Sequence, residues 1–139
     1  MAYSQNLTEA ARRHYKAAQV LYGEAGPGTQ PRCRAVAGYL YGIAGELAVK
    51  QMMRVSGIRP APASRGEDPY FAHFPDLKTM LSTATGRRGN ELRKLSEDPR
   101  LFQNWAIAMR YAPTAEIKTE WVDGWKSSAE NLIAKMGIS

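Results

Sequence analysis

The sequence predicts an all-α fold, an up-and-down bundle of four to five helices that forms a single domain over residues 1–139. Apolar residues recur at three- and four-residue steps in several stretches, which is the spacing of one face of a helix. No stretch alternates between polar and β-branched apolar residues as a half-buried strand would. Proline and glycine stand at the ends of the apolar stretches, where they start and stop helices.

The first predicted helix begins near Asn6 and ends at Gly23. Asn6 is a good N-cap residue, and Glu9 follows three positions later, as in a capping box. His14 lies in the middle of the apolar stripe of this helix. A histidine in such a stripe is more often a hydrogen-bonded core residue than a base or a ligand, which is our interpretation of His14.

The second predicted helix runs from Pro31 to Gly57 and organises the rest of the chain. Gly38, Gly42 and Gly45 share one side of it, so the sequence predicts that another backbone approaches closely there. Glu46 and Lys50 lie beside this glycine side, one turn apart. A carboxylate in such a position requires a cation or several hydrogen-bond donors.

The remaining residues predict shorter elements joined by ordered loops. The proline-rich stretch 58–75 carries aromatic residues that favour an ordered loop over a flexible linker. Pro75 is predicted to start a short helix, and Asp98 followed by Pro99 is predicted to start a helix that continues to Tyr111. Thr114 is predicted to cap the last helix, which ends at Gly137. The carboxylate pairs Glu67–Asp68 and Glu97–Asp98 are assigned to a solvated loop and to helix capping.

Positive charge is concentrated in the first half of the chain. The formal net charge is +6, and residues 12–65 hold nine Lys or Arg against Glu24 and Glu46. An excess of this kind favours RNA, DNA or an acidic protein as partner, although a solvated basic surface explains it as well. The candidate nucleic-acid surface comprises two arginine pairs: Arg32, Arg34, Arg87 and Arg88.

Composition also limits the compartment and the chemistry. Cys33 is the single cysteine, so the chain has no intramolecular disulfide, and we expect its thiol to be buried. No apolar run reaches the length of a membrane span and the N-terminus lacks a signal-peptide core, which predicts a cytoplasmic protein without membrane contact. With two histidines and no phosphate-binding loop, we expect neither a metal site nor a cofactor.

A set of polar residues beside apolar ones is the candidate site. We expect Arg110 to bind Glu46 with its planar guanidinium, with Lys50, His73 and Tyr111 extending the network. One interpretation is a buried polar seam that sets the register of the helices. The other is a pocket in which Arg110 binds a phosphate or a carboxylate.

Three motifs in this order resemble HEPN domains, the family named for its nucleotide-binding members in higher eukaryotes and prokaryotes. The stretch AGYLYGIAGELAVKQMM (37–53) is similar to the second helix of these domains. HFPDL (73–77) resembles the His-x-x-x-Leu turn of one prokaryotic branch, and NWAIAMRYAP (104–113) resembles the W…RY ending of that branch. The resemblance implies a HEPN-like bundle, a homodimer and a toxin–antitoxin or phage-defence context.

Many HEPN proteins are RNases whose catalytic signature is an Arg followed by a His a few residues later. This chain departs from that signature, because the seven residues after Arg110 contain no histidine. Our leading hypothesis is therefore a non-catalytic HEPN-like module that binds a nucleotide, RNA or a partner protein. The alternatives are a metal-independent RNase that uses Arg110, Tyr111 and either His73 or His14, and a pure interaction domain, such as an antitoxin or accessory protein, that binds the product of an adjacent gene.

Overall fold

The computed structural model describes residues 4–23, 31–61 and 68–137, with the backbone alone for 31–33. These residues form five α-helices and no strand, which confirms the predicted all-α fold class. The α-helices are α1 (Leu7–Tyr22), α2 (Pro31–Val55), α3 (Asp76–Met80), α4 (Gly89–Glu97) and α5 (Thr119–Met136). The 3₁₀ helices of the same residues are Pro69–Phe71, Leu81–Thr83, Ile107–Tyr111 and Thr114–Glu116.

The predicted ends of α1 and α2 agree with the structure. The Asn6 side chain accepts a hydrogen bond from the Glu9 amide at 3.0 Å and donates one to the Glu9 carboxylate at 3.2 Å. Gly23 ends α1 with a φ of 60°, and Gly57 follows α2 with a φ of 77°, which is the left-handed region that glycine adopts readily.

Helix α2 lies at the centre of the described bundle, between α1 and α5. Arg34 near the start of α2 contacts Tyr22 at the end of α1, so these two helices are antiparallel. Gly38 lies against Trp125 and Gly45 lies against Leu132, so α2 and α5 run in the same direction. The Arg88 amide before α4 bonds Ser56 just after α2, at the far end of the bundle. None of the described helices has both the length and the apolar content for crossing a bilayer.

Aromatic side chains, and not a second backbone, occupy the glycine side of α2. Trp125 covers Gly38, Trp105 covers Gly42 and Phe102 covers Gly45. A Cβ atom at Gly38 would lie 2.8 Å from the Trp125 ring, which real Cβ contacts do not show. The predicted close approach is therefore correct, but the partner was predicted wrongly, because flat aromatic rings fill the groove that the glycines leave.

The predicted helix from Asp98 to Tyr111 is wrong. Asp98 does accept a hydrogen bond from the Arg100 amide at 2.9 Å, but the chain then turns, and only Ile107–Tyr111 is helical, as a 3₁₀ helix. Phe102 and Asn104 have φ values of 49° and 69°, which an α-helix does not contain. A left-handed residue costs about 1–2 kcal/mol, whereas burying an aromatic side chain such as Phe102 stabilises by about 1.5–3 kcal/mol. The turns bring both Phe102 and Trp105 onto α2.

The last helix begins later than the sequence predicts. Thr114–Glu116 forms a separate 3₁₀ helix, and Ile117 has extended backbone, so α5 starts at Thr119. Its end before Gly137 agrees with the prediction. The side chains of Arg32 and Cys33 and the carboxylate of Glu67 lie outside the described residues.

Candidate functional site

Glu46 is buried, and both of its carboxylate oxygens have partners. The side chain is 2% exposed and lies on α2 beside the glycine side. Oε1 lies 2.9 Å from Nδ1 of His73, and Oε2 accepts the Phe74 amide at 2.8 Å. Burial raises the pKa of Glu46, while His73, the Phe74 amide and the Lys50 ammonium act in the opposite direction. Glu46 thus fastens the segment before α3 to α2.

Lys50 and Asp68 continue this buried cluster behind Glu46. Burial lowers the pKa of Lys50, and the charges of Glu46 and Asp68 oppose that effect. Asp68 is 3% exposed and accepts the Tyr70 amide at 2.9 Å, so its assignment to a solvated loop is wrong. The signal in the sequence was Pro69, since Asp68 caps the 3₁₀ helix that begins there. We call Glu46, Lys50, Asp68 and His73 the polar seam.

Arg110 does not belong to the polar seam, which corrects the predicted Glu46–Arg110 pair. Its guanidinium carbon lies 4.8 Å above the centre of the Tyr111 ring. A hydrogen bond with the Tyr39 side chain, and next the nearby Tyr111, raise the pKa of Arg110. Because His73 and the Phe74 amide satisfy Glu46, the guanidinium is left at the surface. Tyr111 beside it is 78% exposed.

An open cleft of about 380 Å³ lies beside Arg110, between the first half of α2 and the segment that follows Trp105. We call it the arginine cleft, because Arg110 is the charged residue of its lining. Its walls are otherwise mostly apolar: Ala35, Val36, Tyr39, Met109, Ala112, Thr114 and Ile117. Such a cleft offers apolar contact surface with one cation at its edge.

A second cleft, of about 370 Å³, contains His73. We call it the histidine cleft; its lining comprises residues 71–76, Met80 and residues 106–108. The 3₁₀ helix Ile107–Tyr111, which we call the ridge, contributes to both clefts. His73 and Arg110 therefore line different clefts, although the sequence predicts a shared network.

Packed aromatic rings connect the two clefts through the interior. Trp105 packs at 17° to Tyr39, with ring centres 6.1 Å apart. Trp105 also packs edge-on against Phe74, with the ring planes at 88° and the ring centres 6.3 Å apart. Tyr39 lines the arginine cleft and Phe74 lines the histidine cleft. The indole Nε1 of Trp105 donates to the Gly38 carbonyl at 3.1 Å, so this wall is anchored to α2.

Further cations lie on aromatic rings at the same end of the bundle. Arg34 and Lys126 approach the Tyr22 ring at 4.7 and 5.4 Å, and Lys118 lies 5.2 Å from the Trp121 ring. The hydroxyl of Tyr22 donates to Asp123 of α5, which places the end of α1 beside the start of α5. Arg34 thus lies near other cations at this end of the bundle.

The predicted pair Arg87 and Arg88 does not form a common surface. Arg88 is 4% exposed and donates to both oxygens of Glu91, at 3.1 and 2.8 Å, and to the Lys135 carbonyl at 2.7 Å. These contacts hold the loop before α4 against the end of α5, and they lower the pKa of Glu91. Arg87 is exposed. His14, on α1, has its Nδ1 2.7 Å from the Ala10 carbonyl and lines neither cleft.

The chain matches no protein-family model, no curated protein and no solved structure. The resemblance to HEPN domains therefore stays a prediction that depends on its three motifs.

Proposed function

We propose that this chain is a non-catalytic, HEPN-like helical module that binds single-stranded RNA at the arginine cleft. The observation that carries the proposal is the exposed Arg110–Tyr111 pair at the edge of an apolar cleft. A guanidinium binds phosphate through parallel hydrogen bonds, and an exposed aromatic ring offers a face on which a base stacks. Single-stranded nucleic acid is bound by this combination of cations and stacking platforms.

Additional cations lie near the cleft, together with carboxylates. Arg34, Lys118 and Lys126 hold their cations over aromatic rings at the same end of the bundle, where the acidic residues among those described include Glu116, Glu120 and Asp123. Asp123 is engaged by the Tyr22 hydroxyl. The net charge of +6 favours a polyanion at long range as well.

The positions of the two histidines support binding without cleavage. A general acid or base has to lie within hydrogen-bond reach of the reacting group, directly or through one water. His73 lines the other cleft and His14 lies on α1, so neither histidine lines the arginine cleft. Arg110 and Tyr111 are suited to hold a phosphate and a base, but the arginine cleft contains no imidazole for moving protons. The homodimer and the toxin–antitoxin context remain predictions from the family resemblance.

The test is fluorescence anisotropy with a labelled single-stranded RNA of about twelve nucleotides, a length within the range of known binding sites. Arg110→Ala should weaken binding about tenfold or more, because a charge-assisted hydrogen bond is lost. Arg59→Ala is the matched control, since Arg59 is exposed just beyond the opposite end of α2. If both substitutions weakened RNA binding equally, Arg110 would contribute only through the net charge of the protein. If the wild type bound no RNA but did bind a purified partner protein, the ligand of this module would be a protein and not RNA.

A further inference from the structure

We infer that the histidine cleft is a base-binding subsite of the same RNA footprint, selective for a nucleobase with an exocyclic amino group. This inference rests on the proposed function, because it requires that RNA binds next to the ridge. It assigns a role to His73 and Asp76, which the arginine cleft does not use.

The imidazole of His73 is held in one orientation before any ligand arrives. When Glu46 is ionised, its carboxylate only accepts hydrogen bonds, and Nδ1 of His73 then donates across their 2.9 Å contact. Glu46 is itself fixed by the Phe74 amide, and the nearby Lys50 favours its charged form. With Nδ1 at Glu46, Nε2 is the other polar atom of a side chain that is 45% exposed and lines the histidine cleft. A polar atom placed in this way is suited to a directional hydrogen bond with a ligand.

Asp76 determines which part of a nucleotide fits this cleft. It is exposed and lines the same cleft as His73. A carboxylate repels a phosphate but accepts hydrogen bonds from an amino group. Adenine, cytosine and guanine carry such an amino group, whereas the corresponding position of a uracil-type base is a carbonyl acceptor. The cleft therefore favours the first three bases over uracil.

The rest of the cleft suits a flat, apolar ligand. Phe74, Pro75, Met80 and Ile107 contribute apolar surface to its walls. The ridge contributes Ile107 to this cleft and Arg110 to the arginine cleft. A 3₁₀ helix rises about 2 Å per residue, which puts these two residues about 6 Å apart along its axis. Stacked nucleotides advance about 3.4 Å each along a strand. One RNA strand can therefore cross the ridge with a phosphate at Arg110 and a neighbouring base at His73.

The experiment compares labelled oligocytidine and oligouridine of equal length in anisotropy titrations. Both are pyrimidine strands with the same backbone, and they differ in the amino group that Asp76 would accept. The wild type should bind oligocytidine about tenfold more tightly than oligouridine. His73→Ala and Asp76→Ala should each remove most of this preference. Asp76→Ala also serves as the safeguard against misfolding, because Asp76 is exposed whereas His73 is a partner of the buried Glu46.

Glu130→Ala is the control for charge, since Glu130 is exposed on α5 and its charge acts on Tyr15 of α1. It changes the net charge as Asp76→Ala does, and it should leave the preference for oligocytidine intact. Equal binding of the two RNAs by the wild type, with Arg110→Ala still weakening both, would overturn the subsite but not the proposed function. A preference for oligocytidine that persists in Asp76→Ala and His73→Ala would also overturn the base-binding subsite. Absence of binding to either RNA would overturn both proposals.

Discussion

Nδ1 of His73 lies 2.9 Å from Oε1 of Glu46, so a surface loop residue is fastened to a carboxylate in the core. The same carboxylate accepts the Phe74 amide. This arrangement gives Glu46 two roles: it fixes the position of the segment before α3, and it orients the imidazole at the histidine cleft. Four of the five predictions below concern folding stability, so they test the structure independently of any ligand.

Replacing Glu46 with alanine should destabilise the fold by about 3–5 kcal/mol, because it removes the acceptor of the Phe74 amide and the negative charge that faces the buried Lys50. Chemical denaturation of the two proteins measures the difference. Glu130→Ala is the matched control on the surface and should change the free energy of unfolding by less than about 0.5 kcal/mol. An equally small effect of Glu46→Ala would mean that the carboxylate is solvated.

The stability contributed by Glu46 should depend on pH with a defined sign. Burial raises its pKa above the usual 4.5, so the folded protein holds this proton more tightly than the unfolded chain does. The free energy of unfolding of the wild type, relative to Glu46→Gln, should therefore fall as pH rises from about 4.5 through the raised pKa, by up to about 1.4 kcal/mol per pH unit.

Lys50 and His73 face the same carboxylate, Asp68 acts on Lys50, and all three are present in both proteins of this comparison. Denaturation curves at several pH values, with Glu130→Gln as the surface reference, give the slope. A difference between wild type and Glu46→Gln that is flat or increases with pH would contradict the raised pKa.

Gly42→Ala should destabilise the protein by about 1–3 kcal/mol, the usual effect of overpacking a core. A Cβ atom at Gly42 would overlap the indole of Trp105. Gly124→Ala is the control within α5, where a Cβ atom meets nothing within 4 Å. It should stabilise by about 0.5–1 kcal/mol through better helix propensity. Thermal unfolding compares the pair, and a neutral Gly42→Ala would show that Trp105 does not pack there.

Substitutions of Arg88 and Arg87 should affect folding stability differently, because Arg88 is buried and Arg87 is exposed. Arg88→Ala removes three hydrogen bonds of a buried guanidinium and should destabilise by about 1–3 kcal/mol. Arg87→Ala, next to it and exposed, should stay within about 0.5 kcal/mol of the wild type. The denaturation midpoints of the two variants measure this difference in stability. Equal stabilities would mean that Arg88 is exposed at the surface.

The helical framework was predictable because it depends on local signals. Asn6 with Glu9, Pro31 and Gly57 mark helix ends directly in the sequence, and the glycine spacing of α2 indicated a groove. What was not predictable is the path after Asp98. Left-handed backbone at Phe102 and Asn104 is rare for residues other than glycine and leaves no pattern in the sequence.

The path of the chain after Asp98 also determines where Arg110 lies. A continuous helix from Asp98 would have favoured Arg110 as the cation for Glu46, whereas the observed turns place Arg110 beside Tyr111 and Tyr39. His73 then became the partner of Glu46 through a contact between residues 27 positions apart. Contacts at such separation follow from tertiary packing, and periodicity within one stretch does not reveal them. The burial of Asp68 was missed for the same reason.

The most direct test of the central claim is one gel experiment with purified protein, mixed single-stranded RNA and EDTA, which reads retardation and cleavage together. If Arg110 binds RNA without cleaving it, the wild type should retard intact RNA, Arg110→Ala should lose most of the retardation, and Arg59→Ala should keep it. RNA fragments that disappear with Arg110→Ala would contradict binding without cleavage and identify a metal-independent nuclease. RNA that runs unchanged with the wild type would contradict RNA binding itself.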